Sequence, residues 1–182
     1  MAFDFKKEYK NLYQPKNKPE IIDIPRMKFI AVQGTGEPNE VDGAYSQAVE
    51  SLYTVAYTLK MSYKGDYKID GFFEYVVPPL EGFWWQEGVE GVDLSDKASF
   101  SWISVIRIPD FIKEKDVDWA IQQAGIKKKK DFSHVIYKEI EEGLCVQMMH
   151  IGPFDTEKET LGLMQQYLER EGYVEDFSDG RM

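Results

Sequence analysis

The sequence predicts an α+β fold made of a duplicated β-α-β-β unit. Its antiparallel strands form a pseudo-twofold sheet with helices on one side and a central ligand cleft. Two observations point there. A strand, the turn Gly34-Thr35-Gly36 and a helix in the first half are echoed by a strand, Gly152-Pro153 and a helix in the second. Apolar residues also switch along the chain between period-two runs and helical spacing. A chain of 182 residues suits one domain, and two such units pairing their sheets leave a cleft on their axis.

Residues 1–25 read as an arm. Phe5, Tyr9 and Leu12 lie at i, i+4 and i+7, the spacing of a short amphipathic helix, and Pro15, Pro19 and Pro25 break the rest of the arm into extended pieces. Lys28 to Gln33 is a strand ended by Gly34-Thr35-Gly36. Asn39 or Asp42 is placed to cap the next helix, whose apolar face carries Tyr45, Val49, Leu52, Tyr53 and Ala56. Gly65-Asp66 is a turn, Gly71 to Val77 the next strand, and Pro78-Pro79 its end. Pro78 to Trp85 then reads as a loop bordering a cavity. Phe100 to Ile108 is a strand apolar on both faces, with a core on one side and a ligand or a second layer on the other.

Val117, Ala120, Ile121 and Ala124 define a second helix closed by Gly125. Trp119 falls off its apolar face and packs on the surface. His134–Lys138 and Leu144–Ile151 form a hairpin turned by Glu141-Glu142-Gly143. Thr156 and Glu159 have capping-box spacing and open a third helix, with Leu161, Met164, Tyr167 and Leu168 on its buried side and Gly172 at its end.

Composition excludes several functions. A net charge of −10 gives no basic face for nucleic acid, and the one basic run, Lys127 to Lys130, reads as a solvated connector. The single cysteine, Cys145, rules out an intrachain disulfide and fits a reducing cytoplasm. No signal-like start or long apolar run points to a membrane. Two histidines and one cysteine make no metal cluster, and no P-loop, dinucleotide fingerprint or Ser-His-Asp order occurs, so no cofactor is expected. The aromatic share, 14%, tilts the reading towards an aromatic-lined small-molecule cleft.

Pro78-Pro79-Leu80-Glu81-Gly82-Phe83-Trp84-Trp85 sets an acid among prolines and large rings. A carboxylate there is costly unless paired, hydrogen-bonded or used. Taken with Gly34-Thr35-Gly36, Tyr45, Pro109-Asp110-Phe111-Ile112 and Met149-His150-Ile151-Gly152-Pro153-Phe154, this segment resembles the GyrI-like small-molecule-binding family from about Arg26 to the C-terminus. The resemblance implies SHS2-type β-α-β-β units over 26–182, with 1–25 as an arm, and a cleft for hydrophobic aromatic, often cationic, compounds. It also implies a final strand, beyond the residues present here, that brings a second acid to the cleft. Stand-alone members include hydrolases that open the strained cyclopropane of DNA-alkylating compounds and so detoxify them.

On that footing Glu81 is the acid/base candidate, its pKa raised by desolvation beside the rings. Tyr137 or His150 is a candidate donor to the developing enolate oxygen, while His150 also reads as an ordinary strand histidine. Tyr45, Trp84, Trp85, Trp102, His150 and Phe154 are the ligand-binding candidates. Binding without turnover, with Glu81 pairing a ligand cation, is the alternative. A gyrase-inhibitor-like interaction module is a third class. The protein is expected as a cytoplasmic monomer or homodimer.

Overall fold

A computed structural model describes residues 2–89, 93, 96–153 and 156–176. Its elements are α1 (Phe5–Glu8), α2 (Lys10–Tyr13), β1 (Glu20–Ile24), β2 (Met27–Thr35), α3 (Ala44–Lys60), β3 (Leu80–Gln86), β4 (Phe100–Arg107), α4 (Glu114–Lys128), β5 (Ile136–Ile140), β6 (Gly143–Gln147) and α5 (Glu157–Glu171). This is an α+β protein with antiparallel sheets: four strands in the order β3-β4-β2-β5, and a second pair, β1-β6.

β4 is buried along its whole length, as a central strand covered on both faces must be. Trp102 and Ile106 join Ile30 and Val32 of β2 under α3 and α4, which contribute Leu52, Val55, Leu59, Val117 and Ala120. On the opposite face Ile103 and Val105 join Phe29, Ala31 and Ile140, with Leu12, Ile24, Phe83 and Trp85 packed over them. Gly34 lies opposite Trp102 in this sheet. A Cβ on it would sit 2.4 Å from the indole, so the residue is small because a ring lies over it.

The segment read as a loop, Pro78 to Trp85, is instead largely strand β3, paired in full with β4. The two prolines lack the N–H a ladder needs and so precede the strand, and among the described residues β3 has a neighbour on one side only. Conversely, residues 71–77, read as a strand, form no ladder with the described residues beyond an isolated bridge between Tyr75 and Phe3. The arm occupies that place: the backbone of Phe3 bonds Glu74 and Val76.

The expected hairpin of β5 and β6 does not form. β5 pairs with β2 and β6 with β1. Ile24 faces Gly143 and Met27 faces Ile140, so one register runs through both sheets as a single long ladder. The ladder breaks where Pro25-Arg26 lies opposite Glu141-Glu142, since Pro25 has no N–H to donate. Gly143, at φ 68°, restarts it. Arg26 fastens the bend, 3.1 Å from Glu141 and 3.9 Å from Glu139.

Helix ends differ in detail. Gly43, not Asn39 or Asp42, is the N-cap of α3. α4 runs past Gly125 to Lys128 and stops at Lys129 in the left-handed region, so Lys127 and Lys128 complement a helix C-terminus rather than forming a connector. Asp116 ties its start: Oδ2 accepts from the Lys113 N–H at 2.8 Å, and Oδ1 accepts from the Tyr67 hydroxyl at 2.7 Å. α5 begins at Thr156 as expected, yet the Thr156 hydroxyl donates to the Pro153 carbonyl instead of capping the helix. Thr160 and Leu168 are buried on α5, whereas Leu161 is 40% exposed.

Candidate functional site

Glu81 faces Val105 across the β3–β4 ladder, so its side chain leaves the sheet on the side away from α3 and α4. Alternation places Phe83 and Trp85 on that side with it. Arg107, two residues beyond Val105, shares the same face. It is 4% exposed, an unusual position for a charge. The arm explains how this is tolerated: the guanidinium carbon lies 4.9 Å from the Phe5 ring centroid and 4.5 Å from that of Tyr9. Cation–π attraction of this kind is worth about 0.5–2 kcal/mol per ring.

The next tyrosine of the arm, Tyr13, completes the cluster. Its hydroxyl, Glu81 Oε1, and Arg107 Nε and Nη1 are all shut away from solvent without a hydrogen-bond partner. Such orphans are rare, because each carries the desolvation cost of an unmade bond. Burial, chiefly, and the Glu142 charge push the Glu81 carboxyl up from 4.5 to about 7, against the opposing influence of Tyr13 and Arg107. Tyr13 and Arg107 thus sit close enough to Glu81 to act on its charge, though neither closes a bond of normal geometry on Oε1. The Tyr13 phenol is itself pushed up to about 12, by burial first and by Glu81 next, so it stays a neutral donor. At neutral pH the Glu81 carboxyl is poised between its two protonation states beside two donors.

The other expected site residues are distributed differently. Tyr45, Trp84 and Trp102 do meet, but on the helix side of the sheet. Tyr45 lies 5.1 Å from Trp84 and 5.2 Å edge-on to Trp102, and Trp84 lies 5.8 Å edge-on to Phe100. Trp102 is 1% exposed and belongs to the core. Trp84 and Trp85, adjacent in a strand, point to opposite faces, and only Trp85 is on the side of Glu81.

Tyr137 faces Ile30 and therefore also lies on the helix side, its hydroxyl donating to Glu139 at 2.6 Å. Burial and that bond raise its pKa. The structure does not bring Tyr137 to Glu81. His150 is held at the start of α5: Nε2–H donates to the Pro153 carbonyl at 3.0 Å, and Nδ1 is hydrogen-bonded with the Thr160 hydroxyl at 2.8 Å. Both ring nitrogens are thereby engaged. Phe154 lies outside the described residues. The Cys145 thiol is pushed up by burial and by Glu142 and Asp23, away from the thiolate a nucleophile needs.

Sequence reasoning missed Arg107 and Tyr13. The signal for Arg107 was its place in an otherwise apolar strand, where a charge must be paired or used. For Tyr13 it was the continuation of the Phe5-Tyr9 helical face by one further turn.

A solved structure of an uncharacterized conserved protein from Listeria innocua is 49% identical, aligns over 94% of this chain and 82% of its own, and has a TM-score of 0.87. A hydrolase from Listeria innocua is 48% identical over the same shares, also at a TM-score of 0.87. Another structure described as a hydrolase from that organism is 47% identical, again over 94% and 82%, at 0.84. No protein of curated function matches. No helix among the described residues is long and apolar enough to cross a membrane. The profile of the GyrI-like small molecule binding domain matches residues 17–180, and the chain belongs to that family.

Proposed function

We propose that this chain binds hydrophobic aromatic small molecules at the Glu81 face and hydrolyses reactive cyclopropane-type genotoxins, a cytoplasmic detoxification. The observation that carries the reading is the Glu81 carboxyl, raised to about 7 beside the unpartnered donors of Arg107 and Tyr13. The hydrolase description of the 48%-identical neighbour supports turnover over binding alone. In this reading β2-α3-β3-β4 is the first SHS2-type unit, β6-α5 opens the second across a pseudo-twofold axis, and the arm supplies Tyr13 to the site.

Ring opening begins at the acid. The Glu81 carboxylate takes a proton from a water molecule as its oxygen bonds the electrophilic cyclopropane carbon. The strained C–C bond breaks, and its electron pair moves through the conjugated system to the carbonyl oxygen. Arg107 and Tyr13 donate hydrogen bonds to that developing oxyanion, a contribution of roughly 3–4 kcal/mol for a preorganised donor. The proton held by Glu81 passes to the enolate or phenolate, and the net change is addition of one water. Trp85 and Phe83 offer apolar surface to a planar ligand on the same face.

The test incubates the protein with a cyclopropane-fused dienone and follows the water adduct by mass spectrometry. The adduct is expected to form faster than without protein and at least about 100-fold more slowly with Glu81→Gln, the scale of one general base. Tight binding with no acceleration would leave sequestration as the function.

A further inference from the structure

A groove of about 590 Å³ runs between α3 and α4, in the range of small-molecule sites. It lies in the helix layer, on the other side of the sheet from Glu81. One wall is Trp119, whose indole stacks on Tyr67 at 4.2 Å and 9°, with Tyr67 fixed in turn by its bond to Asp116. The other wall is the pair Tyr53 and Tyr57, with ring centroids 6.4 Å apart. Tyr57 is 51% exposed and Ile126, on the α4 side, is 72% exposed, so apolar surface is held open here.

Polar groups give the groove a direction. Glu50, the acid on its lining, is paired with Lys130 at 3.0 Å and also feels the charge of Lys128, so with Lys127 the lysines outnumber the acid and set a net positive charge at that end. At the other end Ser62 is 3% exposed, and its hydroxyl has no hydrogen-bond partner. In a chain with a net charge of −10, this end of α4 carries the one basic run.

We propose that this groove is a second small-molecule site, selective for planar aromatic anions. The rings lie between Trp119 and the tyrosine pair, where base-like stacking on aromatic side chains is favourable. The acid lies at Lys127 and Lys128, and an acceptor at the far end of the ligand receives the Ser62 hydroxyl. A cation is disfavoured by the two lysines.

The probe is 6-hydroxy-2-naphthoate, which places a carboxylate and an oxygen acceptor at opposite ends of a flat ring system. Calorimetry on the full chain at low salt is expected to give saturable one-to-one binding, at least tenfold tighter than for the matching naphthylmethylammonium. The surface double variant Lys127→Gln/Lys128→Gln is expected to weaken it about tenfold, Tyr57→Ala about fivefold, and Glu81→Gln less than twofold. The proposal is overturned by absent saturation, by an ammonium bound as tightly, or by affinity kept in the lysine variant. Loss on Glu81→Gln also overturns it, since the probe would then occupy the sheet-side site. None of these outcomes depends on whether cyclopropanes are hydrolysed.

Discussion

The guanidinium of Arg107 lies 4.5 Å from the Tyr9 ring centroid, and through that contact the arm covers the one buried charge of the central strand. Phe5 belongs to the core beneath the helices, whereas Leu12 reaches the apolar cluster on the opposite face. The arm therefore links both faces at the end of the sheet where Glu81 stands. Tyr9→Ala is expected to cost about 1–3 kcal/mol in chemical unfolding, from lost cation–π attraction plus a partial cavity. A cost below the error of the measurement would mean the arm is not docked in solution.

Tyr13→Phe separates stability from function. The hydroxyl is buried against Glu81 and Arg107 but closes no bond of normal geometry, so its removal is expected to change stability by no more than about 1 kcal/mol. Turnover of the dienone is expected to fall at least tenfold, from loss of an oxyanion donor. Unchanged turnover would remove Tyr13 from the mechanism.

Glu81 makes stability depend on pH with a definite sign. Its folded pKa of about 7 lies above the ordinary value of 4.5, so the folded chain holds more protons between those values. Stability from this group is complete below about pH 4.5 and falls as pH rises through 7, by up to about 3 kcal/mol. Glu81→Gln, which mimics the protonated form, is expected to be more stable than the parent by roughly 1–3 kcal/mol at pH 8 and equal to it at pH 4. Destabilisation at pH 8 would show that the ionised carboxylate is net stabilising beside Arg107.

Gly34→Ala tests the close contact with Trp102. The added carbon would meet the indole of the fully buried Trp102 2.4 Å away, so overpacking of roughly 1–3 kcal/mol or more is expected. Adding Trp102→Phe should recover part of that loss, because the two changes share one space. Simple additivity of the two would place the clash elsewhere.

The elements legible in the sequence are those that local rules specify. β2, α3, β4, α4 and α5 announce themselves by period, because each buries one continuous face or run. The pairing of β5 with β2 and β6 with β1 did not, since that register is set by residues more than a hundred positions apart. Glu81 stood out as an acid among rings, yet its strand was hidden by Pro78-Pro79 and by two adjacent tryptophans that face opposite ways. The aromatic candidates divided accordingly: Tyr45, Trp84 and Trp102 pack beneath the helices, while Trp85 shares the face of the acid. Arg107 and Tyr13 come together only through the fold of the arm over the sheet edge.

The raised pKa of Glu81 is what strengthens it as the base that draws a proton from water, and a ¹³C NMR titration of its side-chain carboxyl measures that pKa directly. With the resonance assigned by its absence in Glu81→Gln, a midpoint near pH 7 is expected, well above the exposed glutamates. A midpoint below about 5 would contradict this account, because a carboxylate that acidic is neither desolvated nor raised in basicity for drawing a proton from water.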